Sequence, residues 1–133
     1  MKYLLDTNIC IYIIKRKPSQ VIDKFKRQKT GNIAISSISV AELYYGVYKS
    51  LKPDENMIAL QEFLAPLERL EFNNEDALAY GKIRSSLESK GSLIGAMDML
   101  IASQALSRDL VLITNNEKEF NRIEELLIEN WVK

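Results

Sequence analysis

"LLDTN" occupies Leu4–Asn8. An apolar run ends there in one acid and two small polar residues, before a second apolar run, "ICIYII" at residues 9–14, begins. Asp, Thr and Asn are all good helix N-caps. An acid at the mouth of a buried strand is also well placed to hold a metal ion. Either way, Tyr3–Leu5 reads as a strand buried on both faces. The segment from about Ile9 to Lys15 reads as a helix, stopped before Pro18. This strand-to-helix step recurs along the chain.

Ser19 is expected to cap a second helix running to about Gln28. "NIAIS" at Asn32–Ser36 reads as a strand. Ser39-Val40-Ala41-Glu42 has the S-x-x-E form of a capping box and is expected to open a helix to about Lys49. Pro53 and Asp54 start another, to about Leu64. "RLEF" at Arg69–Phe72 is a third strand, and Asn74 caps a long helix ended by Gly91. A loop, "GSLIGA", leads to a helix from about Met97 to Ser107. "LVLIT" at Leu110–Thr114, a helical turn and a strand near Leu127–Glu129 complete the order. The alternation predicts an α/β fold, a parallel sheet of about five strands flanked by helices, with α-α crossovers. No linker or repeat interrupts it, so residues 1–133 are expected to form one domain. In such sheets ligands sit outside the carboxyl ends of the strands. Asp6, Glu42, Asp98, Asn115 and Asn116 all fall near that edge.

Composition narrows the chemistry. The chain has no histidine, which excludes Ser-His-Asp and Cys-His catalysis, His-assisted phosphodiester cleavage and His-ligated zinc. Its one cysteine, Cys10, lies in an apolar run and reads as a buried small hydrophobe. No apolar run approaches the roughly 20 residues of a membrane span. "MKYLL" starts like a signal peptide, but Asp6 and Asn8 interrupt it, so a cytoplasmic location is expected. The formal net charge is zero, unlike a general nucleic-acid coat protein. The charge is uneven, however: Lys15, Arg16, Lys17, Lys24, Lys26, Arg27 and Lys29 face Asp23 alone. That run reads either as a solvated helix face or as a phosphate-contacting patch.

Each acid has a plain structural reading. Asp6 could cap the next helix, Glu42 could close its capping box, and Asp98 near a helix N-terminus is favoured by the macrodipole. Gly46, one turn from Glu42, reads as clearance for a substrate or as close helix packing. Taken together, the three acids come from distant segments to one end of one sheet. Clustered carboxylates repel unless a cation neutralises them. Without His or paired Cys the expected cation is Mg²⁺, with Mn²⁺ as a substitute. Such ions work on phosphates.

"YLLDTN", "SSISVAELYYG", "LIGAMDMLIAS" and "LITNNEKEF" together resemble the motifs of PIN-domain ribonucleases. "VAELYYG" and the later Asn115-Asn116, Phe120 and Asn130-Trp131 are similar to VapC-type toxins of type II toxin–antitoxin pairs, and more narrowly to the branch that cuts initiator tRNA, tRNA(fMet), in its anticodon stem-loop. The match runs from Leu4 to Trp131. It implies a PIN-like fold and a metal site formed by Asp6, Glu42 and Asp98. It also implies homodimerisation, a VapB-type antitoxin as partner, a larger toxin–antitoxin complex, and products with 3′-hydroxyl and 5′-phosphate ends. Many PIN domains carry an Asp where this chain has Asn116. Glu119, about one turn on, stands as the replacement acid, and Asn116 as a neutral ligand.

The expected reaction is Mg²⁺-dependent hydrolysis of RNA. Asp6 and Asp98 hold the metal, and Glu42 holds it or orients its water. Thr7, Asn8, Thr114 and Asn116 position these groups, and Lys15, Arg16 and Lys17 grip the RNA backbone. Two rivals differ in kind. A phosphatase with Asp6 as nucleophile wants a second acid two residues on, where Asn8 stands. A PIN module that only binds RNA or protein draws support from Asn116.

Overall fold

The structure is a computed structural model that describes residues 2–133. Five strands form one parallel sheet in the order β3-β2-β1-β4-β5. They are β1 (Tyr3–Leu5), β2 (Ile33–Ser36), β3 (Glu68–Leu70), β4 (Val111–Ile113) and β5 (Ile128–Glu129). The helices are α1 (Thr7–Lys15), α2 (Ser19–Lys26), α3 (Ser37–Tyr48), α4 (Pro53–Leu64), α5 (Asn74–Ser89), α6 (Ala96–Ser107) and the short α7 (Glu117–Phe120). A 3₁₀ turn at Thr30–Asn32 precedes β2.

β1 is central, with Leu5 paired to Ile35 on one side and Ile113 on the other. All three of its residues are buried, as a strand covered on both faces requires. Tyr3 and Leu5 enter one core with α1, α3 and α4, while Leu4 enters a second with α5 and α6. Trp131 closes the first core edge-on against Tyr3, with ring centroids 5.4 Å apart. The chain winds from β1 to β3 on one side, then crosses back to β4 on the other. β1 and β4 therefore flank the topological switch point, where parallel α/β sheets open a crevice.

The element order agrees with the sequence reading, but several boundaries do not. α3 begins at Ser37, because Ser36 is the cap and its hydroxyl accepts from Ile38 N–H at 3.0 Å. Ser39 is therefore inside the helix, and Ser39–Glu42 forms no capping box. Pro18 precedes α2 without a side-chain cap, so Ser19 is its first residue rather than its cap. α5 is capped by Asn73, not Asn74: Asn73 Oδ1 accepts from Asp76 N–H and Asp76 Oδ2 accepts from Asn73 N–H. α1 starts at Thr7, earlier than Ile9, with Asp6 in the cap position. β3 is an edge strand slightly upstream of Arg69–Phe72, burying only Leu70.

Candidate active site

Asp6 leaves β1 at the switch point and is only 5% exposed. The ladder continues through it, since Asp6 N–H donates to Ile113 O at 2.9 Å. Its carboxylate is held from two sides. Oδ1 accepts from Thr7 N–H at 2.8 Å and Oδ2 accepts from the Thr114 hydroxyl at 2.8 Å. One oxygen thus caps α1 while the other binds the end of β4, so the structural and chemical readings of Asp6 coexist. Burial raises its pKa; the two hydroxyl and amide donors oppose that, and the charges of Glu42 and Glu119 reinforce it.

Glu42 reaches the same place from α3. The Thr7 hydroxyl donates to Glu42 Oε1 at 2.8 Å and is hydrogen-bonded to the buried Ser39 hydroxyl at 2.9 Å. Thr7 therefore links the first strand's mouth to the α3 acid. Asp98 sits in the first turn of α6, half-buried. Burial, a hydrogen bond shared with Glu119, and the charges of Asp6, Glu119 and Glu42 together push its pKa up to about 7.

Asn116 completes the set. Its N–H donates to the Thr114 hydroxyl at 2.9 Å and its Nδ2 donates to Glu119 Oε2 at 2.8 Å. A chain of hydrogen bonds therefore runs from Asp6 through Thr114 and Asn116 to Glu119. Asn116 makes no cap bond to α7; its side chain instead holds Glu119. Asn8 is exposed and, among the described residues, makes no side-chain hydrogen bond at the site.

A hard divalent cation suits this donor set. Every ligand type present is oxygen, and burial with the neighbouring carboxylates raises the proton affinity of Asp6 and of Asp98. Among the described residues, no three acids already stand close enough to ligate one ion as they are. Asp98, half-buried beside Glu119, holds its own proton more tightly than a free carboxyl, as a site short of a cation does.

The basic run does not join the acids. Lys15 ends α1 and Arg16 caps it in a left-handed conformation, with φ of 59°. Arg16 and Lys17 are exposed and lie a helix length from Asp6, about 13 Å at a rise of ~1.5 Å per residue. Lys15 instead lines a groove of 340 Å³ with Ile11, Ile14, Glu42, Gly46 and Leu60. An added Cβ at Gly46 would meet nothing within 4 Å. Close helix packing therefore does not account for this glycine, which opens the groove beside Glu42. A larger hollow of 580 Å³ lies between α5 and the Arg122–Glu125 turn, remote from the acids.

The PIN domain matches residues 3–126, and the chain belongs to that family. Within it, the chain falls among the VapC ribonucleases. It is 47% identical to ribonuclease VapC2 of Rickettsia felis over 134 residues, covering 100% of both chains. It is 43% identical to the tRNA(fMet)-specific endonuclease VapC of Salmonella typhimurium over 131 residues, covering 98% of each. The crystal structure of DNA-bound VapBC from Salmonella typhimurium superposes with a TM-score of 0.93 at 43% identity, covering 98% of each chain. No helix among the described residues is long and apolar enough to cross a membrane.

Proposed function

We propose that residues 1–133 form a single PIN domain acting as the toxin of a type II toxin–antitoxin pair, a metal-dependent endoribonuclease of the cytoplasm. The observation that carries this reading is the hydrogen-bonded path from Asp6 through Thr114 and Asn116 to Glu119, with Asp98 close enough for Asp6, Glu119 and Glu42 to raise its pKa. It gives a rigid mount to acids that would otherwise spread apart by repulsion. Asp6 and Asp98 would hold Mg²⁺, for which Mn²⁺ would substitute; Glu42 would hold it or orient its water, with Glu119 as a further ligand. Such an ion, when bound, supplies an activated water and offsets charge on a phosphoryl group in hydrolysis. Thr7 keeps Glu42 oriented, and Thr114 keeps Asp6 oriented. Asn116 keeps Glu119 facing Asp98, so the Asn found where other PIN domains carry Asp does not make this a binding-only module.

The relatives' names support RNA as the substrate and, through the tRNA(fMet)-specific relative, initiator tRNA; the anticodon stem-loop as the place of the cut rests on the motif resemblance. The VapBC complexes among the similar structures support a VapB-type antitoxin as partner. The groove beside Glu42 is its docking place. A guanidinium matches carboxylates in bidentate geometry, so an antitoxin Arg reaching the acids would block metal and RNA together. Tyr45 and Tyr48 are exposed on α3, at 66% and 74%, and supply an aromatic contact for homodimerisation. The test is cleavage of purified initiator tRNA against an elongator tRNA with Mg²⁺ present. A single cut confined to the initiator's anticodon loop supports the reading; equal cleavage of both refutes the specificity.

A further inference from the structure

The carboxyl edge of the sheet carries a second hydrogen-bonded group, one that hydrolysis itself does not require. Asn115 follows Thr114 and is exposed. Its Oδ1 accepts from Asn130 Nδ2 at 3.1 Å, which turns its own Nδ2 toward the Tyr12 hydroxyl, 3.5 Å away. Asn130 is spent on this posture. Its Nδ2 also donates to Glu117 Oε2 at 3.2 Å and its Oδ1 accepts from Val132 N–H at 2.9 Å. Glu117 is in turn fixed by Lys133 at 2.7 Å.

Counting donors shows what is left over. Asn115 retains one amide hydrogen and the Tyr12 hydroxyl retains its own. Two neutral donors therefore stand side by side, one residue along the chain from the threonine that holds Asp6. An exposed amide gains little from being fixed, because water satisfies it as well, and immobilising it costs rotamer entropy. Fixed donors at a set spacing are what a binding surface needs. Free donors of this kind take acceptor oxygens. Single-stranded RNA offers these on its phosphates and on its base carbonyls.

We propose that Tyr12 and Asn115 form a subsite for an acceptor oxygen of the nucleotide beside the scissile phosphate, with Asn130 as the positioning residue. The proposal rests on the ribonuclease reading above. Asn115→Ala and Tyr12→Phe should each raise KM for an initiator-tRNA anticodon stem-loop about five- to tenfold, the effect of one lost hydrogen bond. They should leave kcat and melting temperature unchanged. Asn130→Ala should raise KM in the same direction through Asn115. Two altered substrates identify the oxygen. If it is a base carbonyl, changing the neighbouring base weakens wild type and leaves Asn115→Ala indifferent. If it is a phosphate, a neutral methylphosphonate at the neighbouring linkage does so instead. Unchanged KM in both Asn115→Ala and Tyr12→Phe overturns the proposal. So does a fall in melting temperature without a change in KM, which would mean the network only fastens the C-terminal tail. Fluorescence anisotropy with the same stem-loop separates the two claims. If wild type binds RNA without cutting it, the ribonuclease reading fails. The subsite then stands or falls on whether Asn115→Ala weakens that binding.

Discussion

Glu42 shows most clearly how a residue can match a motif in sequence yet play another part. Its spacing from Ser39 is that of a capping box, but Ser36 takes the cap and shifts the helix start upstream. Its carboxylate is thereby released to Thr7. Glu42→Gln keeps the size and an oxygen acceptor for the Thr7 hydroxyl, so its melting temperature should stay near wild type. Its RNA cleavage should fall on the order of a hundredfold or more, as for loss of a charged ligand. A variant that melts early yet keeps its rate per folded molecule would contradict this. Asp98 makes a pH prediction. Its pKa is raised from 3.8 to about 7 by burial, the hydrogen bond shared with Glu119, and neighbouring acids. The folded state thus holds its proton more tightly than the unfolded chain. The associated stability is fully present below about pH 4 and is lost as pH rises through about 7. In EDTA the melting temperature should fall between pH 5 and pH 8, and Asp98→Asn should flatten that fall. An unchanged slope in the variant would place the titration elsewhere. Asp6 stood out in sequence because an acid at the mouth of an apolar strand is out of place, and Glu42 and Asp98 because they lie in early helix turns that the element order puts at the same sheet edge. Thr114 and Asn116 were expected to position the acids, but the sequence did not say which acid each would hold. The Thr114–Asp6 bond exists because β4 pairs with β1, a contact between segments more than a hundred residues apart.

The elements were legible in order but not at their starts. Where cap-type residues cluster, as at Ser36-Ser37 and Asn73-Asn74, local propensity does not choose among them; strand register does. The α5–α6 pairing depends on a residue that the acid search passed over. Asp76 is fully buried, closes the α5 capping box with Asn73, and accepts from Ser107 and from Arg108, whose Nη2 lies 2.9 Å away. Arg108 also donates to Glu71 O, tying the C-terminus of α6 to the N-terminus of α5. The box is readable in "NNED", but an arginine 32 residues on is not. Despite burial, the Arg108, Ser107 and Asn73 hydrogen bonds hold the Asp76 pKa below its usual value. It therefore contributes stability above the unfolded pKa, which is lost as pH falls through the folded one. Asp76→Ala should cost about 2–4 kcal/mol by denaturant titration, combining a lost cap with a broken, largely buried ion pair. Cleavage per folded molecule should be unchanged. A loss of activity at full stability would instead make Asp76 part of the site.

At the scale of the whole molecule, the strand order β3-β2-β1-β4-β5 turns a scattered set of acids into one crevice. The basic run shows the converse. Lys15, Arg16 and Lys17 are neighbours in sequence, yet helix α1 carries them away from Asp6, and only Lys15 lines the groove beside Glu42. That groove and the acids it leads to make a prediction about the complex. Changing an acid-facing arginine of the antitoxin to alanine should restore at least part of the RNA cleavage while leaving a weakened complex. A complex with no cationic side chain near Asp6 and Asp98 would contradict it. The central claim is that the carboxylates at the β1/β4 switch point act on RNA through a divalent cation. The most direct test is stem-loop cleavage by rigorously purified protein in EDTA, then with Mg²⁺ restored, beside Asp98→Asn. The expected result is no cleavage in EDTA, full cleavage on adding Mg²⁺ or Mn²⁺, and none by Asp98→Asn under either condition. Undiminished cleavage in EDTA would contradict the account.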